Sequence, residues 1–213
     1  MLKRIDNLKQ ILLLQVFTIY LRFLIGGAFI IAAIVMGKLY SSNVPLDADS
    51  FPMDTSTPPM ILFFKVMYES GLYWKFIGWT QIIAGCLLMT QRYAKIGAII
   101  FFGIILNIFV ITISYEFNGT PIVTGLMLLA VIYLLIWDIQ SLKFLFVQKG
   151  FLKYENLKVA DNNYWEILGI VMITTIVIMS ILKIKIFYLL FIFFIQGLIG
   201  LIIFFSLKRK FVK

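Results

Sequence analysis

Ile96-Gly97-Ala98-Ile99-Ile100-Phe101-Phe102-Gly103-Ile104-Ile105-Leu106-Asn107-Ile108-Phe109-Val110-Ile111-Thr112-Ile113-Ser114 contains no charged side chain. The run is about 20 residues long, the length a helix needs to cross a ~30 Å hydrocarbon core. A helix on the surface of a water-soluble domain would alternate apolar and polar faces at a period near 3.6 residues, and this one does not. The whole chain has the same character. Of its 213 residues 62% are hydrophobic and 14% charged, whereas soluble domains run about 45–50% apolar and about 25% charged. Mean hydropathy is +1.01. The fold class is an all-α integral membrane protein.

Working outward from that run gives six spans. They are Thr18–Lys38, Leu72–Thr90, Ala94–Ser114, Pro121–Trp137, Tyr164–Leu182 and Ile186–Leu207. Asn118-Gly119 supplies a turn, Thr120 is placed to cap the fourth span, and Pro121 suits a first helical position. Asn118-Gly119-Thr120 also matches a glycosylation sequon, and a turn accounts for it equally well. Only Lys183-Ile184-Lys185 separates the last two spans. A single helix across both would be too long for one crossing, so a tight hairpin is expected. Residues 1–16 form a cytoplasmic or interfacial lead-in, and the first span is read as a retained helix rather than a signal peptide.

Charge orients the set. Lys3, Arg4 and Lys9 precede span one, and Arg92 and Lys95 lie between spans two and three. Lys143, Lys149, Lys153 and Lys158 follow span four, in a loop over 141–163, and Lys208, Arg209, Lys210 and Lys213 close the chain. The positive-inside rule puts these groups, and both termini, in the cytoplasm, with Lys183 and Lys185 discordant. The net charge of +9 is then an orientation signal and a contact with anionic lipid, not a nucleic-acid surface. The expected location is a bacterial inner membrane; abundant Ile, Lys, Phe and Asn with few Arg suggest an AT-rich bacterial genome.

Residues 39–71 form the longest extracytoplasmic loop. Within it Met60–Ser70 is apolar, with Lys65 and Glu69 spaced i,i+4; it is too short to span and reads as an interfacial or re-entrant helix. Such a helix either caps a cavity or packs on helix ends. Tyr68, Tyr73, Trp74 and Trp79 read as an aromatic belt.

Polar residues inside spans each need a reason. Arg22 either snorkels to the headgroups or pairs with Asp138 at the end of span four. Lys38, Thr80, Gln81, Asn107, Thr112 and Glu116 form either a candidate outward-facing polar pocket or a set of separate interhelical hydrogen bonds. Gln196, near Gly197 and Gly200, is expected to bond between helices. Gly26-Gly27, Gly78, Gly85, Gly97 and Gly103 permit close backbone approach. With no His and one Cys, a histidine-held haem, a histidine relay and an intrachain disulfide are all excluded within this chain. Cys86 reads as a small buried hydrophobe. No Walker loop, zinc helix, CxxC pair or nucleophile elbow occurs, and no metal site is read.

Three stretches resemble the DoxX-like membrane family. The first is Tyr20-Leu21-Arg22-Phe23-Leu24-Ile25-Gly26-Gly27-Ala28-Phe29-Ile30 with Gly37-Lys38-Leu39. The second is Phe76-Ile77-Gly78-Trp79-Thr80-Gln81-Ile82-Ile83-Ala84-Gly85 with Leu87-Leu88, Arg92 and Ala94. The third is Gly119-Thr120-Pro121 with Tyr133-Leu134-Leu135-Ile136-Trp137-Asp138. The resemblance covers residues 17–140 and implies a four-helix transmembrane bundle, associated in some relatives with membrane oxidoreductases such as the thiosulfate:quinone type. Gln81 stands where many members carry an acid, and the hairpin 164–213, with its basic tail, lies outside the four-helix unit. The expected role is a non-catalytic membrane subunit or scaffold, with lipids and another membrane or membrane-associated protein as partners. A carrier of a small or lipid-like molecule is the alternative, and an enzyme using Lys38, Glu116 and Asn107 is the third. No intrinsic cofactor is expected; a bound lipid or quinone is compatible with either leading role.

Overall fold

A computed structural model describes residues 8–35, 37–39, 59–142, 163–182 and 184–211, with no side-chain description beyond Ser206 or at Gln140 and Ser141. The cations expected at 1–7, 143–162, 183 and 213, and most of the loop 39–71, lie outside these residues. The helices are α1 (Leu12–Val35), α2 (Pro59–Glu69), α3 (Leu72–Met89), α4 (Ala94–Ser114), α5 (Thr120–Trp137), α6 (Ile139–Leu142), α7 (Asn163–Ile181) and α8 (Ile186–Phe211). Six of them are long and apolar enough to cross a membrane, which makes this a polytopic membrane protein.

Some boundaries differ from expectation. Helix α1 begins at Leu12 instead of Thr18, because Leu12-Leu13-Leu14 are good helix formers continuous with the apolar run. Its other end closes at Val35. There Gly37 adopts φ 64, its N–H bonds the carbonyl of Ile34 at 3.0 Å, and the Lys38 N–H reaches back to Ala33 at 3.1 Å. These two bonds are the Schellman pattern, which needs a left-handed residue where glycine stands. Thr120 is not a cap: α5 starts at Thr120 itself, Gly119 (φ 72) holds the cap position, and no side chain caps it. The interfacial segment is helical from Pro59 to Glu69 as α2, and α7 and α8 are separate helices.

Helix α1 is the axis of the packing. It crosses α3 at Gly26 and Gly85, where a Cβ on either glycine would stand 2.7 or 2.6 Å from the other's carbonyl oxygen. Only two glycines allow that backbone approach. On one side α1 and α3 join α4 and α5 around Ile25, Phe29, Leu88, Phe101, Val131 and Leu134. On the other side α7 and α8 close over α1 and Met89 through Phe23, Trp165, Met172 and Phe204. Gly169 of α7 lies against the Met89 carbonyl. The tyrosine hydroxyls of Tyr20 and Tyr164 donate to the carbonyls of Gly197 and Gly200, each at 2.6 Å, fixing α8 to α1 and α7. Gln196 Nε2 donates to the Thr175 hydroxyl at 2.7 Å. Gly103 departs from its expected role: a Cβ there would meet open space.

Successive spans run in opposite directions, so two ends can be distinguished. At one, the start of α1 meets the ends of α3 and α5. At the other, the end of α1 meets the start of α3, with α2 beside it.

Candidate functional site

The α1 segment carries two buried cations, Arg22 near the middle of the helix and Lys38 just past its end. At the first end Arg22, 4% exposed, lies among α1, α3 and α5. Its Nη2 donates to Asp138 Oδ2 at 2.6 Å and its Nη1 to Gln91 Oε1 at 2.9 Å. Asp138 follows the last residue of α5, where a carboxylate opposes the helix dipole, so the guanidinium stabilises it there. One planar group thereby joins three chain segments. Gln91 sits in the α3–α4 turn at φ 55, a left-handed conformation costing a non-glycine residue on the order of 1 kcal/mol. A turn turn away, the Thr18 hydroxyl lies 2.9 Å from the Tyr133 hydroxyl. Gln91 and Tyr133 were not singled out as partners in the sequence, which marks Arg22 and Asp138 but not what surrounds them.

At the second end Lys38 is 6% exposed, and its neighbour Gln81 is 2% exposed. Lys38 Nζ donates to Gln81 Oε1 at 3.1 Å and stands 5.3 Å from the centroid of the Trp74 ring, within cation–π range. The bare Cα of Gly78 admits the Lys38 backbone: a Cβ there would stand 2.6 Å from Lys38 Cβ. Among the described residues no carboxylate is ion-paired with Lys38; the ion pairs are Arg22–Asp138 and Lys65–Glu69. Burial lowers the Lys38 ammonium from 10.5 to about 8. Two donors beside it are also unmatched. Among the described residues Trp74 Nε1 and the Tyr68 hydroxyl are buried without a hydrogen-bond partner, and their rings meet edge-on at 6.0 Å. Trp74 is therefore not part of an exposed belt, being 5% exposed, whereas Trp79 is 54% and Tyr73 46% exposed.

The six residues of the candidate polar pocket do not come together as one. Lys38 and Gln81 meet. Thr112 pairs instead with Thr124 across α4 and α5 at 3.0 Å, and Thr80 turns back to the Phe76 carbonyl at 2.7 Å. Asn107 and Glu116 are exposed. The reason for Asn107 is geometric: it follows buried Ile105 by two residues, roughly 200° around the helix. Helix α4 is apolar on every side, so its sequence does not announce which face is buried. Glu116 occupies the left-handed position (φ 50) that ends α4, in a second Schellman pattern formed by Phe117 N–H to Thr112 and Glu116 N–H to Ile113. The Lys38–Glu116–Asn107 grouping of the enzyme reading is thus not assembled.

Helix α2 lies against this second end. Phe63 stacks toward Tyr115 at 5.0 Å and Phe64 toward Phe117 at 5.5 Å, while Lys65 and Glu69 stand 4.0 Å apart on the helix itself. Phe117 is buried under this contact.

No protein-family model matches this chain. It is similar to the uncharacterized protein YwoB of Bacillus subtilis (strain 168), 38% identical over 65 residues. That stretch is 30% of this chain and 42% of YwoB. No solved structure matches.

The arrangement separates two kinds of polar chemistry. Arg22 is held by Asp138 and by Gln91 Oε1, while Gln91 Nε2 is buried without a partner among the described residues. At the Lys38 end the ammonium has a neutral acceptor in Gln81 Oε1, and Trp74 Nε1 and the Tyr68 hydroxyl lack acceptors among the described residues.

Proposed function

We propose that this polytopic membrane protein is a non-catalytic binding subunit, holding a small or lipid-like molecule at the Lys38 end in the service of a membrane partner. One observation carries this reading: the donors of Lys38, Trp74 and Tyr68 are buried beyond what the described residues can accept. Buried polar groups without partners cost about 1–3 kcal/mol each, so an acceptor-bearing molecule binding there would recover that energy. A bound lipid or quinone meets the requirement. The resemblance of residues 17–140 to the DoxX-like family favours a membrane oxidoreductase as the partner, with this chain as its accessory. The cation distribution favours an inner-membrane topology with the Arg22 end and both termini cytoplasmic, placing the Lys38 end outside.

The test is purification of the full chain from native membranes in a mild detergent, followed by native mass spectrometry. The expected result is a retained small molecule that Lys38→Met abolishes, and a membrane protein recovered in fixed stoichiometry. A chain recovered alone and empty, with no ligand dependent on Lys38, would sink the proposal.

A further inference from the structure

We infer that the Lys38 cluster seats the phosphate head of an acidic membrane lipid, with Lys38, Trp74 and Tyr68 as its hydrogen-bond donors. The inference rests on the binding role proposed above and names the ligand that role would serve.

Charge decides the class. Lys38 is 6% exposed and its one hydrogen-bond acceptor among the described residues, Gln81 Oε1, is neutral. An amide accepts a proton bond but does not neutralise an ammonium, and a buried unpaired charge is among the costliest arrangements in a protein. A quinone carbonyl, also neutral, would leave the same charge uncompensated. An oxyanion removes it. The donor set agrees. Beyond its bond to Gln81 the ammonium has two further N–H groups, and Trp74 Nε1–H and Tyr68 O–H are unmatched. The Lys38 ammonium lies over the Trp74 ring and the Tyr68 ring meets that ring edge-on; several neighbouring donors suit an acceptor with several oxygens, and phosphate offers more than a ketone can use.

Position decides the source. The cluster begins where the chain leaves α1 through Gly37, with Trp74 in the first turn of α3 and Gln81 midway along it, so it extends from the helix ends inward. Apolar side chains flank it on the outer surface: Val66 of α2 and Leu72, Phe76 and Trp79 of α3 are all more than half exposed. These offer acyl chains a surface continuous with the donor cluster, which inorganic phosphate would not use. The conversion of Lys38 to its neutral form near pH 8 adds a signature: lipid affinity falls as pH rises through that value.

The experiment uses the full chain in a mild non-ionic detergent, with thermal stability and native mass spectrometry as readouts. Four probes are compared: phosphatidylglycerol, zwitterionic phosphatidylcholine, menaquinone and inorganic phosphate. Phosphatidylglycerol is expected to raise the melting temperature and persist as an adduct, with phosphatidylcholine at least about tenfold weaker. Lys38→Met should abolish the preference for the acidic lipid. Trp74→Phe keeps an aromatic ring and deletes the N–H, and should weaken phosphatidylglycerol by roughly ten- to a hundredfold, the effect of one charge-assisted hydrogen bond; Tyr68→Phe should do likewise. These two conservative variants carry the test if Lys38→Met does not fold. Lys38-dependent retention of menaquinone with indifference to phosphatidylglycerol would overturn the oxyanion and leave the binding role standing. Inorganic phosphate binding as tightly as phosphatidylglycerol would uphold the oxyanion and overturn the lipid. If none of the four probes depends on Lys38, Trp74 or Tyr68, the ligand assignment and the binding role fall together.

Discussion

Arg22 and Lys38 are both cations on the α1 segment and almost equally buried, at 4% and 6% exposure, yet their surroundings are opposite. Arg22 is held by a carboxylate at 2.6 Å and an amide at 2.9 Å on two other segments. Among the described residues Lys38 has one neutral acceptor and an aromatic face. A buried charge whose partners all come from its own chain is a structural joint. One whose partners are incomplete is either a liability or half of a complex. The two ends of the bundle thus separate what holds this fold together from what it can offer to something else.

The sharpest way to break that contrast is to replace each cation by an unbranched apolar side chain. Arg22→Met leaves Asp138 buried beside no cation, a change that typically costs about 3–5 kcal/mol. A large fall in thermal stability is expected, and the double variant Arg22→Met with Asp138→Leu should recover most of it, since replacing both partners by apolar groups is often neutral. If the single variant melts as the wild type does, Arg22 is not a joint and the contrast is lost.

Between the two ends lies the Gly26–Gly85 crossing, on which both depend. Gly85→Ala would place a Cβ 2.6 Å from the Gly26 carbonyl oxygen and 2.7 Å from Ile30, forcing α1 and α3 apart. Overpacking of this kind costs about 1–3 kcal/mol. The expectation is a lower melting temperature together with loss of any Lys38-dependent ligand, because Lys38 follows directly on α1 and Gln81 and Trp74 are on α3. Retained binding in a destabilised Gly85→Ala protein would mean that the Lys38 end is assembled independently of the crossing.

Lys38→Met should act in the opposite direction to Arg22→Met. It orphans only the Gln81 oxygen and removes an unneutralised ammonium, so ligand-free protein should be unchanged or more stable. Its pH dependence gives a second reading. The folded-state value of about 8 lies below the ordinary 10.5, so between these values the unfolded chain binds the extra proton. Stability of ligand-free wild type should rise from pH 8 to 10.5, by on the order of 1–3 kcal/mol, and be flat with respect to this group below 8. The rise is the difference between wild type and Lys38→Met melting curves, in which other titrating groups cancel. No difference in slope across that window would show that Lys38 is already neutralised.

How far these ends were legible follows from what each signal is made of. Spans are announced by composition, because hydrocarbon admits few charges, and the helices follow closely. Arg22 and Asp138 stand out for the same reason: charges near a membrane are rare enough to be noticed as a pair. Asn107 misled because rarity says that a residue is notable, not which way it faces, and α4 offers no amphipathic pattern to orient it. Trp74 was unreadable as a donor for the converse reason. Aromatic residues at a span end are ordinary, and only packing distinguishes the buried Trp74 from the exposed Trp79. Gly37 was the missed clue: a glycine immediately before Lys38 ends α1 in a Schellman turn, leaving the lysine against Gly78.

The smallest effect probes the contrast most closely, through two residues in the same strained backbone. Gln91 (φ 55) belongs to the Arg22 end and Glu116 (φ 50) to the Lys38 end, and both carry side chains where glycine would relax the turn. Glycine at such a position relieves roughly 1 kcal/mol. Glu116 is exposed, so Glu116→Gly should raise stability by up to about 1 kcal/mol. Gln91→Gly relieves the same strain but deletes an acceptor for Arg22, a charged hydrogen bond worth about 1.5–3 kcal/mol, and should be net destabilising. Opposite signs from the same substitution would mean that strain at the Arg22 end is retained for the bond it positions. Equal gains would mean that Gln91 contributes nothing to holding Arg22, and that Asp138 alone makes the joint.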